Sequence, residues 1–367
     1  VGGVRRAGDR ALIIQFGTSR FLQAHVDLFL SEALRPAAGQ GPVTVVQTTN
    51  APERSGRVAA FDAGRFPVRL RGLREGVVVD RTVEVTSVSR GLAAGLHWPE
   101  IERRFVEDAT TVVSNTGDRG YEPAGFPAKL LSLLHARWRA GGTALDLYPC
   151  ELIGSNGDVL RGVVATLAHE RALESGFREW LVDGCRWINS LVDRIVSAPI
   201  EPLGAIAEPY ALWAIEARED VAPPCAHADI VVTDRLVDHE RLKLLILNLG
   251  HTALVERWRA AGAAPGLTVR DAIGDRFYRD DLDALYDDEV MPVFEAIGMG
   301  ERAFDYRRSV MERFANPFLD HLLAEIAINH EAKRERRFGA LAALAGERAP
   351  ALRQPRIRAA LGRSVGR

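Results

Sequence analysis

The stretch ALIIQFG at residues 11–17 is a short apolar run closed by a glycine, and the reading of the chain turns on it. Such a run is typical of a strand buried on both faces of a parallel sheet, and the glycine lets the backbone turn tightly where the strand stops. FLQAHVDLFLSEAL follows, with helical spacing at Leu22, Val26, Phe29, Leu30 and Ala33. PVTVVQTTN (42–50) is a second, β-branched strand, and TTVVSNTG (110–117) a later one. Between them FPVRLRGLREGVVVDRTVEV reads as a strand, a turn at Arg74-Glu75-Gly76 and a second strand. This order predicts an α/β fold whose N-terminal domain is Rossmann-like and doubly wound.

Further along the pattern changes. From His239 to Arg337 the sequence is mostly amphipathic helix, broken at Pro265-Gly266 and Asn316-Pro317. A chain of 367 residues also exceeds the size at which one core usually stops growing. The expectation is a dinucleotide-binding domain at 1–238 and a mainly α-helical substrate domain at 239–367. The Ala- and Arg-rich segment after Arg337 reads as surface helix with a loose end.

Composition narrows the partners. Lys and Arg total 47 against 49 Asp and Glu, a formal net charge of -2, which gives no electrostatic reason to expect nucleic acid or a membrane surface. No apolar run approaches the roughly 18 residues that span a bilayer. Cys150, Cys185 and Cys225 match neither a zinc template nor a disulfide framework, and no His/Cys/Asp/Glu cluster suggests a metal. VGGVRRAGDR carries no hydrophobic stretch of the signal-peptide kind, so a cytoplasmic protein with a small-molecule substrate is expected.

The turn Gly17-Thr18-Ser19-Arg20-Phe21 is a candidate phosphate site, because the following helix would present free N–H groups and its positive dipole end. The G-x-G-x-x-G pattern is incomplete, with Ser19 at the second glycine. The second strand ends in Gln47-Thr48-Thr49-Asn50 and not in the acid that usually holds an adenosine ribose. Arg54 and Arg57 lie just beyond, so the residues leave NAD and NADP both open.

LKLLILNLGHTALV (242–255) is an apolar helix interrupted by Lys243, Asn248 and His251. Taken singly, these would be a solvated lysine and two satisfied core polar groups. At 100° per residue Lys243 and Asn248 fall about 140° apart with His251 between them, so the three can face one pocket.

This K-x4-N-x2-H helix and the stretch INSLVDRIVS (188–197) together resemble the polyol-specific long-chain dehydrogenase/reductase family, the mannitol dehydrogenase family. GTSRFLQAH, SNTGDRGY, EPYALWAIE, ERFANPFLDH and INHEAKRERR are similar to further stretches of that family in the same order. Ser19, Gln23 and Asp118 depart from its pattern. Within the family YPCELIGSNGDVLRGVV is most similar to the hexuronate reductases, and Leu152 stands where the mannitol enzymes carry an asparagine.

The resemblance implies a metal-independent hydride transfer between NAD and a hexuronate ketose and its aldonate, either tagaturonate and altronate or fructuronate and mannonate. It implies Lys243 as acid/base, with Asn248 and His251 on the reacting oxygen. A lysine held in a partly desolvated pocket has its pKa pushed down, which suits that role. The implied cofactor residues are Gly17, Thr18, Ser19, Arg20, Phe21, Asn50, Asn115, Thr116, Val192 and Asp193. The implied substrate residues are Asn156, Arg313, His321, Lys333 and Arg337, whose cations would pair with a uronate carboxylate. Mannitol or another polyol as substrate is the alternative reading, and a nucleotide-binding sensor without catalysis is a third.

Overall fold

The computed structural model describes residues 12–49, 55–117 and 120–362. The chain divides into two compact units. The first comprises the described residues up to Leu70 together with 81–207 and 211–236, and the second comprises 71–80, 208–210 and the chain from Val237 onward.

The first unit is built on six parallel strands among the described residues: Leu12–Phe16 (β1), Val43–Gln47 (β2), Val88–Ala93 (β3), Ala109–Ser114 (β4), Asp146–Pro149 (β5) and Arg186–Trp187 (β6). Their spatial order is β3-β2-β1-β4-β5-β6. Chain direction across the sheet therefore reverses between β1 and β4, the switch point of the doubly wound fold. All five residues of β2 are buried, as a strand covered on both faces requires. Helices Trp98–Glu107, Phe126–Arg139 and Asn156–Glu170 bury Phe105, Leu130 and Val164 in one cluster with Phe16, Val112 and Trp187. Each such side chain contributes about 1.5–3 kcal/mol.

The helix expected over 21–34 is interrupted. It runs only Arg20–Gln23, stops at Ala24 and His25, and resumes as Val26–Leu34. His25 causes the break: it is fully buried, its Nε2 donates to the Leu212 carbonyl at 3.0 Å, and its ring lies between Phe21 and Phe29. The helical dipole aimed at the β1 turn is correspondingly short.

Phe66–Arg74 and Val77–Val85 form the hairpin expected from the sequence, turning at Glu75 and Gly76, both with positive φ. Alternate residues Phe66, Val68 and Leu70 are buried, the period of a half-buried strand. The turn belongs to the second unit, where the Glu312 carboxylate accepts from the Glu75 and Gly76 amides at 3.0 and 2.9 Å.

The second unit is otherwise helical, and among its described residues three short π-helical turns interrupt the α-helices: Lys243–Asn248, Tyr286–Val290 and Glu335–Gly339. The segment after Arg337 corrects the surface-helix expectation. Phe338, Leu341, Ala345, Ile357 and Ala360 are all buried in the cluster that holds Leu245, Leu254, Phe294 and Phe314. Its alanines and arginines hid an apolar stripe that the core takes up. Among the described residues no helix is long and apolar enough to cross a membrane.

Candidate active site

In the first unit the β1 turn lies at the switch point. Gly17 has φ +121°, and a Cβ there would stand 2.3 Å from the Asn115 carbonyl oxygen, so only glycine fits between the ends of β1 and β4. The Gly17 amide donates to Val46 and the Asn115 amide to Phe16, at 2.9 and 3.0 Å. Ser19 caps the short helix by accepting from the Leu22 amide and donates its hydroxyl to Asn115 Oδ1, both at 3.2 Å. The serine at the second glycine position thus ties the turn to the end of β4. Close backbone approach here is what a pyrophosphate requires, so the cradle fits a dinucleotide.

The other cofactor candidates divide. Asn115 donates to the Cys150 carbonyl at 2.7 Å, and Thr116 gives both its amide and hydroxyl to Glu151 at 3.0 Å. The Arg57 guanidinium reaches the Thr18 carbonyl and its hydroxyl. Val192 and Asp193 are buried on the strand Ser190–Asp193, which pairs antiparallel with Leu212–Glu216. Phe21 stacks on His25 with centroids 4.7 Å apart. Arg20 turns its side chain away from a ligand role: it pairs with Glu201 at 2.7 Å and donates to the Gly204 carbonyl at 3.1 Å. Asn50 lies outside the described residues.

Two substrate candidates are engaged by partners within the chain. Asn156 is fully buried; its amide donates to the carbonyls of Pro149, Glu151 and Ser190, and its oxygen accepts from the Ser190 amide. It is a clamp between chain segments, with every polar atom occupied. Arg313 is 3% exposed and grips Glu208 with two parallel bonds of 3.0 and 2.8 Å, its guanidinium lying 4.3 Å over the Tyr210 ring. That geometry is a buried structural pair.

Glu151 is a residue whose importance the sequence concealed. It is buried, accepts from Ser114, Thr116 and Tyr121, and burial pushes its carboxyl above the usual range. Its position directly after β5, one strand from the switch point, was the available signal. Leu152 beside it is 65% exposed.

In the second unit the helix carrying Lys243, Asn248 and His251 is not a plain α-helix. Lys243–Asn248 is a π turn in which the Leu249 amide reaches back to Leu244, and Leu249–Ala260 then continues as α-helix. Residues five apart lie closer to one side in i→i+5 geometry than in an α-helix, so Lys243 and Asn248 converge more than α-helical spacing predicts. Both are half-buried, whereas His251 is buried against Phe314 and His321, with centroids 4.5 and 5.2 Å away.

Arg337 joins this group from the third π turn. Its Nη1 donates to the Asn248 carbonyl at 3.0 Å and to the Thr252 hydroxyl at 2.7 Å. Lys333 donates to the Ile326 carbonyl at 2.9 Å. Burial, and then Arg336, push the Arg337 guanidinium down to about 10. Burial, and then Arg337, lower the Lys333 ammonium. His321 is lowered by burial, opposed by Glu325 and reinforced by Lys333. The structure thus brings Lys333 and Arg337 together near His251 and His321, with Arg337 on the Asn248 carbonyl, a cationic pair that an anion would relieve.

Known proteins resemble this chain in sequence and in fold. Residues 79–225 match the mannitol dehydrogenase Rossmann domain and residues 235–346 the mannitol dehydrogenase C-terminal domain. The altronate oxidoreductase of Bacillus subtilis (strain 168) is 32% identical over 360 residues, covering 88% of this chain and 72% of that protein. That of Klebsiella pneumoniae is 31% identical over 390 residues, covering 95% of this chain and 78% of that protein. Among solved structures, a D-sorbitol dehydrogenase in substrate-free form superposes with a TM-score of 0.79 at 21% identity, over 92% of this chain and 77% of that one. Pseudomonas fluorescens mannitol 2-dehydrogenase, in ternary complex with NAD and D-mannitol, gives 0.74 at 18% identity over 97% and 79%. The two family matches together take in most of the chain and both of its characteristic motifs: this chain belongs to the mannitol dehydrogenase family.

Proposed function

We propose that this protein is an NAD-dependent oxidoreductase that interconverts a hexuronate ketose and its aldonate, with tagaturonate and altronate as the foremost pair. The observation that carries the substrate class is the cationic pair of Lys333 and Arg337, which suits a carboxylate and gives a neutral polyol nothing. Relatives named altronate oxidoreductase at 30–32% identity support the same class.

The first unit holds the dinucleotide at the Gly17 turn, with Ser19 and Asn115 fixing the loop. When bound, NADH supplies a hydride to the carbonyl carbon. The chain's own residues manage the oxygen. Lys243 donates a proton to it as the alcohol forms and takes that proton back in the oxidation direction. The Asn248 side-chain amide donates a hydrogen bond to the same oxygen, stabilising the charge that develops there. His251, oriented by Phe314 and His321, holds the oxygen or a neighbouring hydroxyl.

The test is NADH and NADPH oxidation measured in parallel against tagaturonate, fructuronate and fructose, for the native enzyme and Lys243→Ala. Removing the lysine lowers turnover by roughly 10²–10⁴-fold, the usual contribution of a general acid/base, while fluorescence titration shows NADH binding retained. An active Lys243→Ala enzyme overturns the mechanism, and a preference for fructose overturns the uronate assignment. NADH binding with no turnover on any of the three points instead to a sensor.

A further inference from the structure

We propose that Tyr286 is a positioning residue for proton transfer: its hydroxyl holds the Ile246 carbonyl and so keeps the 243–248 segment in the π turn that brings Lys243 and Asn248 toward one side. The inference rests on the proton-transfer reading of Lys243 given above.

A π turn is a poorer hydrogen-bonding arrangement than the α-helix it interrupts and persists where surrounding structure holds it. Here two side chains from distant segments do so, each from another π turn. Arg337 takes the Asn248 carbonyl, and Tyr286 Oη donates to the Ile246 carbonyl at 2.8 Å. Tyr286 is fully buried, and burial raises its hydroxyl pKa, so it stays protonated and a donor. Arg307 lies 5.1 Å over its ring and is itself fixed by Asp283 at 2.9 Å, so the tyrosine is held from behind.

Gly250 supplies the independent sign that this contact matters to the helix. A Cβ at position 250 would stand 2.1 Å from Tyr286 Oη, and 3.1 Å from Phe314 Cε2. Glycine inside a helix costs about 1 kcal/mol relative to alanine. The space it leaves is the space the hydroxyl occupies. Phe314, which a Cβ at 250 would also crowd, packs against His251, so pressure at position 250 is felt at the histidine as well.

The experiment compares Tyr286→Phe, Gly250→Ala and the double variant with Lys243→Ala as the reference. Melting temperature, NADH affinity, kcat, KM for the ketose and the pH profile of kcat are measured on each. Tyr286→Phe conserves volume; it is expected to stay folded and bind NADH within about twofold of native. Its kcat is expected to fall about tenfold, KM for the ketose to change by less than about threefold, and the limb of the pH profile lost in Lys243→Ala to shift. Gly250→Ala is expected to lose a similar factor alone but less than about threefold more in the Tyr286→Phe background, because the hydroxyl it strikes is gone. A dead Lys243→Ala beside a Tyr286→Phe with native kcat and pH profile overturns the proposal. So does a fully additive double variant, or a loss of kcat that leaves the pH profile unmoved. If Tyr286→Phe fails to fold, a Gly250→Ala enzyme with native kcat overturns it equally. An active Lys243→Ala is a separate outcome, which removes the functional reading underneath.

Discussion

Arg313 and Arg337 sit in the same helical unit, and their surroundings are opposite. Arg313 meets Glu208 in a bidentate pair, and both side chains are 2% exposed. The bonds from Arg337 go to a carbonyl and a hydroxyl, so its charge is held without being neutralised. The sequence offered both as carboxylate binders on equal terms. The difference teaches that a buried arginine already matched to a carboxylate serves the fold, while one held by neutral oxygens keeps its field for a ligand.

A large expected effect tests the first half of that contrast. Arg313→Met leaves Glu208 buried without its cation and should cost about 3–5 kcal/mol of stability, read by urea or thermal unfolding. Combining it with Glu208→Leu should recover most of the loss. A single variant as stable as the native protein would break the contrast at its root.

Arg337→Met should instead leave the unfolding midpoint near native and act on catalysis. kcat/KM for a hexuronate should fall about 10–100-fold, and by at least about tenfold more than for a neutral ketose. Equal losses on both substrates would mean that Arg337 matters through the Asn248 carbonyl alone.

A buried acid extends the comparison, with an effect that depends on pH. Asp27 is fully buried, Gln15 Nε2 donates to it at 3.4 Å, and burial raises its carboxyl to about 8 from 3.8. The unfolded chain releases this proton above pH ~4 and the folded chain only near pH ~8, so between those values the unfolded state binds fewer protons and stability declines as pH rises. The slope is at most about 1.4 kcal/mol per pH unit. Asp27→Asn should therefore gain on the native protein as pH rises from 4 to 8 in paired thermal melts. Parallel melting curves across that range would show that Asp27 is ionised in the fold.

How far the sequence reached follows from where the deciding partners lie. The β1 run ending in Gly17, the Glu75-Gly76 turn and the helix of 242–255 were all legible, because local apolar period and turn residues determine them. The break at His25 was not, because it is made by the Leu212 carbonyl, 187 residues away. The partners of Asn156 and Arg313 were hidden for the same reason, since they come from Ser190 and Glu208. The π turn was hidden as well, since leucines at 244, 245 and 247 suit either helix and the donors that hold it come from positions 286 and 337.

The turn at Lys243–Asn248 has a consequence for which changes of length this helix tolerates. A π turn is a single extra residue lodged in an α-helix, so removing one residue within 243–248 would restore regular α-helix and leave all that follows in its present phase. Leu249, Val255 and Trp258 would keep their places in the core, and His251 its place against Phe314. The same deletion in the regular helix beyond Leu249 would rotate everything after it by about 100° and pull its apolar side chains out of the core. This helix therefore tolerates a change of length at the π turn and not beyond it.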